Sequence, residues 1–288
     1  MGDLIDLRTA ITRDVVRVVG PEAVDFLQGQ LSQDVGALAI GAGAASLLLQ
    51  PTGKVVAWLR VTRIGDDEVL LDVEAGFGEA VLERLNRFKL RTKAELSLEQ
   101  WAGVALRGGV TAGDDPPLGV VALAAGWPGV EGRDLLSNGE VAYAPNAPDD
   151  ASALEALRIE CGVPAMGAEL TEATIPAEAG QWLIDASVSF TKGCYTGQEL
   201  VARIDSRGGN VPRPVRGLVV EGEPVPVGTG VSLDGKDVGV VTSSARSTRL
   251  GAVALAPLSR SVAEGAIVQL AVGDGPPRAA TVVALPMR

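Results

Sequence analysis

The pattern of this sequence changes character near Arg216, and that change limits the folds open to it. Before it, branched extended stretches alternate with short helical ones, which favours an α+β or mixed-sheet arrangement over a helical bundle. After it come only short branched strands separated by glycine and proline turns. One hairpin signal there is Asp234-Gly235, between Val231-Ser232-Leu233 and Val238-Gly239-Val240. A small all-β domain of roughly 75 residues follows, near the lower end of independent domain size. The proline-bearing stretch from Gly208 to Pro214 is its expected tether.

The first part can be read element by element. Val15 to Val19 reads as a strand, and Gly20-Pro21 opens a helix with Val24, Leu27 and Leu31 on one side. Val55 to Arg63 and Glu68 to Val73 read as strands of a hairpin turning at Gly65-Asp66-Asp67. A helix from about Gly78 to Lys93 follows, with Val81, Leu85 and Phe88 inward. The region from Gly108 to Pro148 carries loop signals in Asp114-Asp115-Pro116-Pro117 and Pro145-Asn146-Ala147-Pro148. Ser152 and Glu155 read as a capping box for a helix whose Leu154, Leu157 and Cys161 share a face, ended by Gly162 and Pro164. On that face Cys161 is structural.

Chemistry concentrates in Lys192-Gly193-Cys194-Tyr195-Thr196-Gly197-Gln198-Glu199. Thr196 and Glu199, followed by Leu200, Val201 and Ile204, read as a capping box, which puts Cys194 just outside a helix start. The positive end of the helix and the Lys192 ammonium would both favour thiolate there. An ordinary buried cysteine is the competing reading. The lysine, the paired glycines and Tyr195 favour a reactive or ligand-contacting thiol.

Composition closes several routes. With no histidine among 288 residues, Ser-His-Asp and Cys-His catalysis and histidine metal ligation are excluded. Two cysteines make no disulfide framework and have no zinc-ligand spacing, so a reducing compartment and no metal site are expected. The 36 acidic and 25 basic residues give a net charge of −11, which opposes broad nucleic-acid binding despite the cluster Arg203, Arg207, Arg213 and Arg216. No apolar run reaches the length of about 18 residues that a membrane span needs. The acidic start Met1-Gly2-Asp3 does not suit a signal peptide, so a cytoplasmic location is expected.

Taken with the all-β tail, the octapeptide KGCYTGQE makes the chain resemble the YgfZ-type folate-binding proteins, relatives of the glycine-cleavage T-protein. Supporting segments are Phe26-Leu27-Gln28-Gly29-Gln30-Leu31, the Leu157-Arg158-Ile159-Glu160 helix end running into Gly162-Val163-Pro164, and Ile175-Pro176-Ala177-Glu178. The resemblance implies an α+β fold: two sheet-and-helix domains around a central channel, plus a small C-terminal all-β barrel. It divides the chain into a folate-binding N-terminal region over 1–150, open to interleaving with the next, a central region over 151–212 holding the octapeptide, and a barrel over 213–288. It also implies tetrahydrofolate or a related reduced folate as ligand, and iron–sulfur client or assembly proteins, including tRNA-modifying enzymes, as partners. By the same resemblance Glu178 contacts the pterin, with Tyr195, Gly197, Gln198 and Arg203 beside the folate and Cys194 and Lys192 as the functional pair. A carboxylate suits the pterin because the ring presents adjacent N–H donors that one carboxylate accepts together.

One departure bears on activity. The T-protein relatives carry an acidic pair in the strand after the glycine that here is Gly53, and Ala57 and Trp58 occupy those positions. Neither a methyl group nor an indole replaces a carboxylate that supports aminomethyl transfer. The expected function is therefore a tetrahydrofolate-binding accessory factor for iron–sulfur proteins. The competing readings are a folate-dependent one-carbon transferase and a non-catalytic RNA-associated or scaffold protein.

Overall fold

The computed structural model describes residues 6–108, 119–139, 150–273 and 275–287. Among them the strands form two seven-stranded sheets. The first contains β1 (Asp6–Val19), β2 (Gly43–Leu49), β3 (Val55–Arg63), β4 (Glu68–Glu74), β5 (Glu95–Gly108), β6 (Val121–Ala124) and β7 (Gly132–Ser137) in the order β2-β3-β4-β1-β5-β7-β6. Its centre is the pair β1 and β5, each 14 residues long and antiparallel over the full span from Asp6↔Gly108 to Val19↔Glu95. These long strands join the two sheet-and-helix halves in one continuous sheet. The sheet curls until its edges approach: a Cβ on Gly43 of β2 would lie 3.5 Å from a Leu123 methyl of β6.

The N-terminal core lies under this sheet. Leu47, Leu48, Leu49, Val55, Leu71 and Val73 meet Leu27 of α1 (Ala23–Gln30) and Val81 and Leu85 of α2 (Gly78–Phe88), all completely buried. Full burial of each such aliphatic side chain is worth about 1.5–3 kcal/mol. The strands at 55–63 and 68–74 and the start of α1 follow the sequence expectation. α2 is shorter than expected, however, ending at Phe88 rather than Lys93, and Phe88 points outward at 37% exposure beneath the Arg84 guanidinium, 3.8 Å from its ring centroid. Two turns of amphipathic packing suffice there, and Phe88 lies past the buried stripe of Val81 and Leu85.

The region expected to be loose from Gly108 to Pro148 also differs, because it contributes β6 and β7 to the sheet. Tertiary pairing with β5 overrides weak local signals. The Asp114–Pro117 and Pro145–Pro148 loop signals lie outside the described residues. α3 (Ala151–Cys161) is capped by Asp150, whose Oδ1 accepts from Ala153 N–H at 3.1 Å and from the Ser152 hydroxyl at 2.9 Å. The expected Ser152–Glu155 box is therefore absent. An aspartate two residues earlier caps equally well, and it frees Glu155 to pair with Arg158 at 2.6 Å. Gly162, with φ 71°, ends the helix as expected.

The second sheet contains β8 (Val215–Val220), β9 (Gly230–Leu233), β10 (Lys236–Val240), β11 (Ser243–Ser247), β12 (Gly251–Pro257), β13 (Ile267–Leu270) and β14 (Arg278–Val283). Its order is β10-β9-β13-β14-β8-β12-β11, and an isolated bridge between Gly239 and Leu258 brings the β10 edge back onto the chain just after β12, so the sheet curls into a small barrel. The β9–β10 hairpin turns at Asp234 (φ 51°) and Gly235 (φ 74°), the two left-handed residues that the Asp-Gly signal anticipates. α3 seats on the barrel through Ile159, packed against Val215, Val253, Leu255 and Met287. A polar clamp reinforces the seat. The buried Glu169 carboxylate accepts from Arg158 (3.3 Å) and from the Thr242 (2.5 Å) and Ser243 (2.7 Å) hydroxyls of the barrel side. No helix among the described residues is long and apolar enough to cross a membrane.

Candidate functional site: a central cavity and a clamped thiol loop

Two places hold the chemistry, and they are distinct. The first is a cavity of about 490 Å³ within the curl of the N-terminal sheet, closed on one side by α3 and by α4 (Gln181–Ser187). Trp58 of β3 and Trp182 of α4 line it, their rings meeting edge to face at 5.9 Å and 83°. Trp58 is fixed at both ends: its indole N–H donates to Ser187 Oγ at 3.0 Å, and its backbone N–H approaches Met166 Sδ at 3.4 Å. Ala57 next to it is fully buried. The two positions that lack the acidic pair thus present one methyl group to the core and one indole to the cavity.

The polar wall of the cavity is a chain of ion pairs crossing five strands. Arg13 of β1 reaches Asp72 of β4 at 2.6 Å, Arg60 of β3 reaches Asp72 at 2.5 Å and Asp134 of β7 at 2.6 Å, and Arg107 of β5 reaches Asp134 at 2.8 Å. Burial would raise the Asp134 carboxyl, but Arg60 and Arg107 outweigh it and hold Asp134 below the ordinary aspartate value. Burial would likewise lower Arg60, yet Asp72 and Asp134 raise it above the usual arginine value. Arg60 Nη2 is buried without a hydrogen-bond partner among the described residues, and the Arg107 guanidinium lies 4.2 Å from the Trp127 ring centroid.

The second place is the octapeptide loop. Cys194 is exposed, whereas Cys161 is buried in α3, where burial and then Glu160 push its thiol up to about 12. The Lys192 ammonium turns inward and donates to the carbonyls of Gln28 (2.6 Å), Leu31 (2.7 Å) and Gln33 (3.0 Å), at the end of α1. Burial draws its pKa down to about 8. Lys192 also sits 5.3 Å from the ring centroid of Tyr195, a buried residue whose phenol burial pushes up to about 12. Two motifs far apart in sequence, Phe26–Leu31 and the octapeptide, thereby meet.

The expected capping box at Thr196 and Glu199 is not formed. α5 (Gln198–Asp205) starts two residues later, with Gly197 at its cap in the left-handed region (φ 85°) and no side-chain cap. Thr196 instead donates its N–H to Gly29 O at 3.2 Å, and Gln198 Oε1 accepts from Tyr195 N–H at 3.3 Å. The cause is a close approach: a Cβ on Gly197 would stand 2.5 Å from Gln50 O, and one on Gly53 would stand 2.4 Å from Leu200 Cβ. The Gly53 turn packs against the octapeptide with only glycines between them.

None of the residues assigned to the folate from the resemblance lines the cavity. Glu178 lies in the 3-10 turn Pro176–Ala179 just before α4, with Oε2 accepting from Ile175 N–H at 3.1 Å. Burial raises its pKa against the opposing effect of that N–H. Tyr195, Gly197 and Gln198 hold the loop, and Arg203 is exposed on α5. The Glu178 turn instead sets the position of Trp182. The ion chain, Glu74, Trp127 and Trp182 escaped the sequence reading. Their signal was nonetheless present, since Arg60, Asp72, Arg107 and Asp134 are charges embedded in otherwise apolar, buried strands.

Comparison with known proteins places this geometry. Residues 213–287 match the family model of the glycine cleavage T-protein C-terminal barrel domain. An uncharacterised protein of Haemophilus influenzae is 30% identical over 196 residues, covering 68% of this chain and 67% of its own length. The tRNA-modifying protein YgfZ of Edwardsiella ictaluri is 30% identical over 222 residues, covering 68% and 65%. An aminomethyltransferase of Streptomyces coelicolor is 28% identical over 274 residues, covering 82% and 73%. The crystal structure of the glycine cleavage system aminomethyltransferase T from Bartonella henselae superposes with a TM-score of 0.76 over 97% of this chain and 86% of its own, at 20% identity, a likeness of fold. The fold is thus that of the T-protein class, and the chain belongs to the YgfZ-type, T-protein-like family.

Proposed function

We propose that this protein binds a reduced folate in its central cavity and serves as an accessory factor, rather than as an aminomethyltransferase. The observation that carries the reading is the cavity itself. Its volume of about 490 Å³ suits a small-molecule site, for which 300–1,000 Å³ is typical. Trp58, Trp127 and Trp182 give it aromatic walls for a flat ring, and the Arg13, Arg60 and Arg107 side chains in its lining suit a ligand with acidic groups. Tetrahydrofolate has both parts, and when bound it supplies ring nitrogens able to carry a one-carbon unit. In this reading the pterin lies against the Trp58–Trp182 pair, while Arg60 and Arg107 receive the glutamate tail. Their ion pairs with Asp134 hold both guanidinium groups in place. With Ala57 and Trp58 in place of the acidic pair, the cavity has no carboxylate at the position where the transferase relatives carry theirs.

Cys194 acts outward in this reading. It is exposed on a loop that Lys192 ties to the end of α1, so Lys192 is a positioning residue. The thiol is open to iron or to a partner's thiol. Iron–sulfur client or assembly proteins, including tRNA-modifying enzymes, are the proposed partners, on the strength of the family resemblance and of relatives named as tRNA-modifying proteins. Calorimetric titration of the full chain with tetrahydrofolate under anaerobic conditions tests the ligand. Saturable one-to-one binding with quenching of tryptophan fluorescence is expected, and a flat titration would overturn it. Complementation of a deletion strain tests the thiol, because full rescue by Cys194→Ala would remove its role.

A further inference from the structure

The carboxylates that line the cavity differ in how they are held. Asp134 is bound by Arg60 and Arg107, and Glu155 by Arg158. Glu74, at the end of β4, makes no ion pair within 4.0 Å among the described residues. Its one hydrogen-bond partner among them is the Met166 N–H, 3.2 Å from Oε1. It is therefore the lining carboxylate with free acceptor capacity. Burial raises its pKa, with Arg13 and the Met166 N–H acting in the opposite sense.

Its place is as informative as its freedom. Met166 contacts Glu74 through its N–H and the backbone N–H of Trp58 through its sulfur, so one residue bridges the β4 carboxylate and the β3 backbone at Trp58. The β3–β4 pairing ends at Arg60 and Asp72, and Trp58 and Glu74 each lie two residues beyond that last pair. Both line the cavity.

We propose that Glu74 is the carboxylate that receives the N–H donor edge of the bound pterin. The proposal rests on the folate reading above and extends it. The 2-amino group and the N3–H of a pterin lie side by side, and one carboxylate in the cavity lining accepts from both. Glu178 is less suited to the task, because it lies outside the cavity lining and its Oε2 holds the Ile175 N–H.

The test titrates 5-formyltetrahydrofolate, a reduced folate that resists oxidation, into the full-length wild type, Glu74→Gln and Glu178→Gln. Thermal melts confirm that each variant is folded. Loss of a charge-assisted pair of hydrogen bonds weakens binding by about 10–100-fold, and this loss is expected for Glu74→Gln but not for Glu178→Gln. Where Glu74→Gln does not fold, Glu74→Asp keeps the charge, draws the oxygens back by one methylene and should weaken binding in the same direction. Wild-type affinity in a folded Glu74 variant, or loss confined to Glu178→Gln, overturns the assignment while leaving the folate reading intact. No binding by the wild type overturns both.

Discussion

Glu169→Gln isolates the charge that joins the barrel to the rest of the chain. The Glu169 side chain has no solvent exposure, and it accepts from Ala165 N–H (3.0 Å), Arg158 Nη1 (3.3 Å) and the hydroxyls of Thr242 (2.5 Å) and Ser243 (2.7 Å). A glutamine keeps the shape and one acceptor oxygen, but it turns an amide NH₂ toward donors and leaves Arg158 without its buried counter-ion. Removing one partner of a buried pair typically costs about 3–5 kcal/mol. Arg158 retains Glu155 and the Val163 carbonyl, so the expected loss is reduced to about 2–3 kcal/mol. Urea denaturation, followed together with proteolysis of the Gly208–Pro214 tether, measures it. The barrel should separate at lower urea, with earlier cleavage at the tether. A stability within about 0.5 kcal/mol of wild type, the range of an ordinary surface substitution, would refute the view that Glu169 holds the seat.

The remaining expectations are brief. A thiol reagent near neutral pH should modify Cys194 quickly and Cys161 only on unfolding, and two fast equivalents would contradict the burial of α3. Because the folded Cys161 thiol titrates at about 12 against 9.0 for an ordinary one, the unfolded chain releases its proton first. That stabilising contribution is complete below pH 9 and is lost as pH rises toward 12, which a series of melts across that range should show for wild type and much less for Cys161→Ala. Gly197→Ala adds a Cβ 2.5 Å from Gln50 O at φ 85°, so a loss of at least about 1–2 kcal/mol is expected from the left-handed backbone alone. An unchanged melt would show that the Gly53 turn yields. Lys192→Met removes three donors from the Gln28, Leu31 and Gln33 carbonyls and should speed amide exchange across 189–196 while leaving the barrel amides unchanged.

How much was legible beforehand depends on the range of the forces involved. The Asp234-Gly235 hairpin, the strand from Val55 to Arg63 and the Gly162 stop were readable because turn chemistry and period-two alternation act between near neighbours. The capping boxes failed at Ser152 and at Thr196 for different reasons. In the first, an equally good cap stood just upstream. In the second, the approach of the Gly53 turn, more than 140 residues away in sequence, forced Gly197 into a conformation that no local motif demands.

The same division holds for the site. Sequence by itself determined the octapeptide and its thiol, the absence of histidine chemistry, the loss of the acidic pair at Ala57 and Trp58, and the family likeness, since each depends on which side chains are present. Only the tertiary structure decided where they stand. Cys194 faces outward, Lys192 binds the end of α1 rather than the thiol, and the cavity wall is assembled from Arg13, Arg60, Asp72, Arg107 and Asp134 on five strands. Three of the four ion pairs join neighbouring strands, and curling the sheet brings Arg60 of β3 to Asp134 of β7, 2.6 Å apart; the pairing of long strands that produces the curl leaves no trace in any short stretch of sequence.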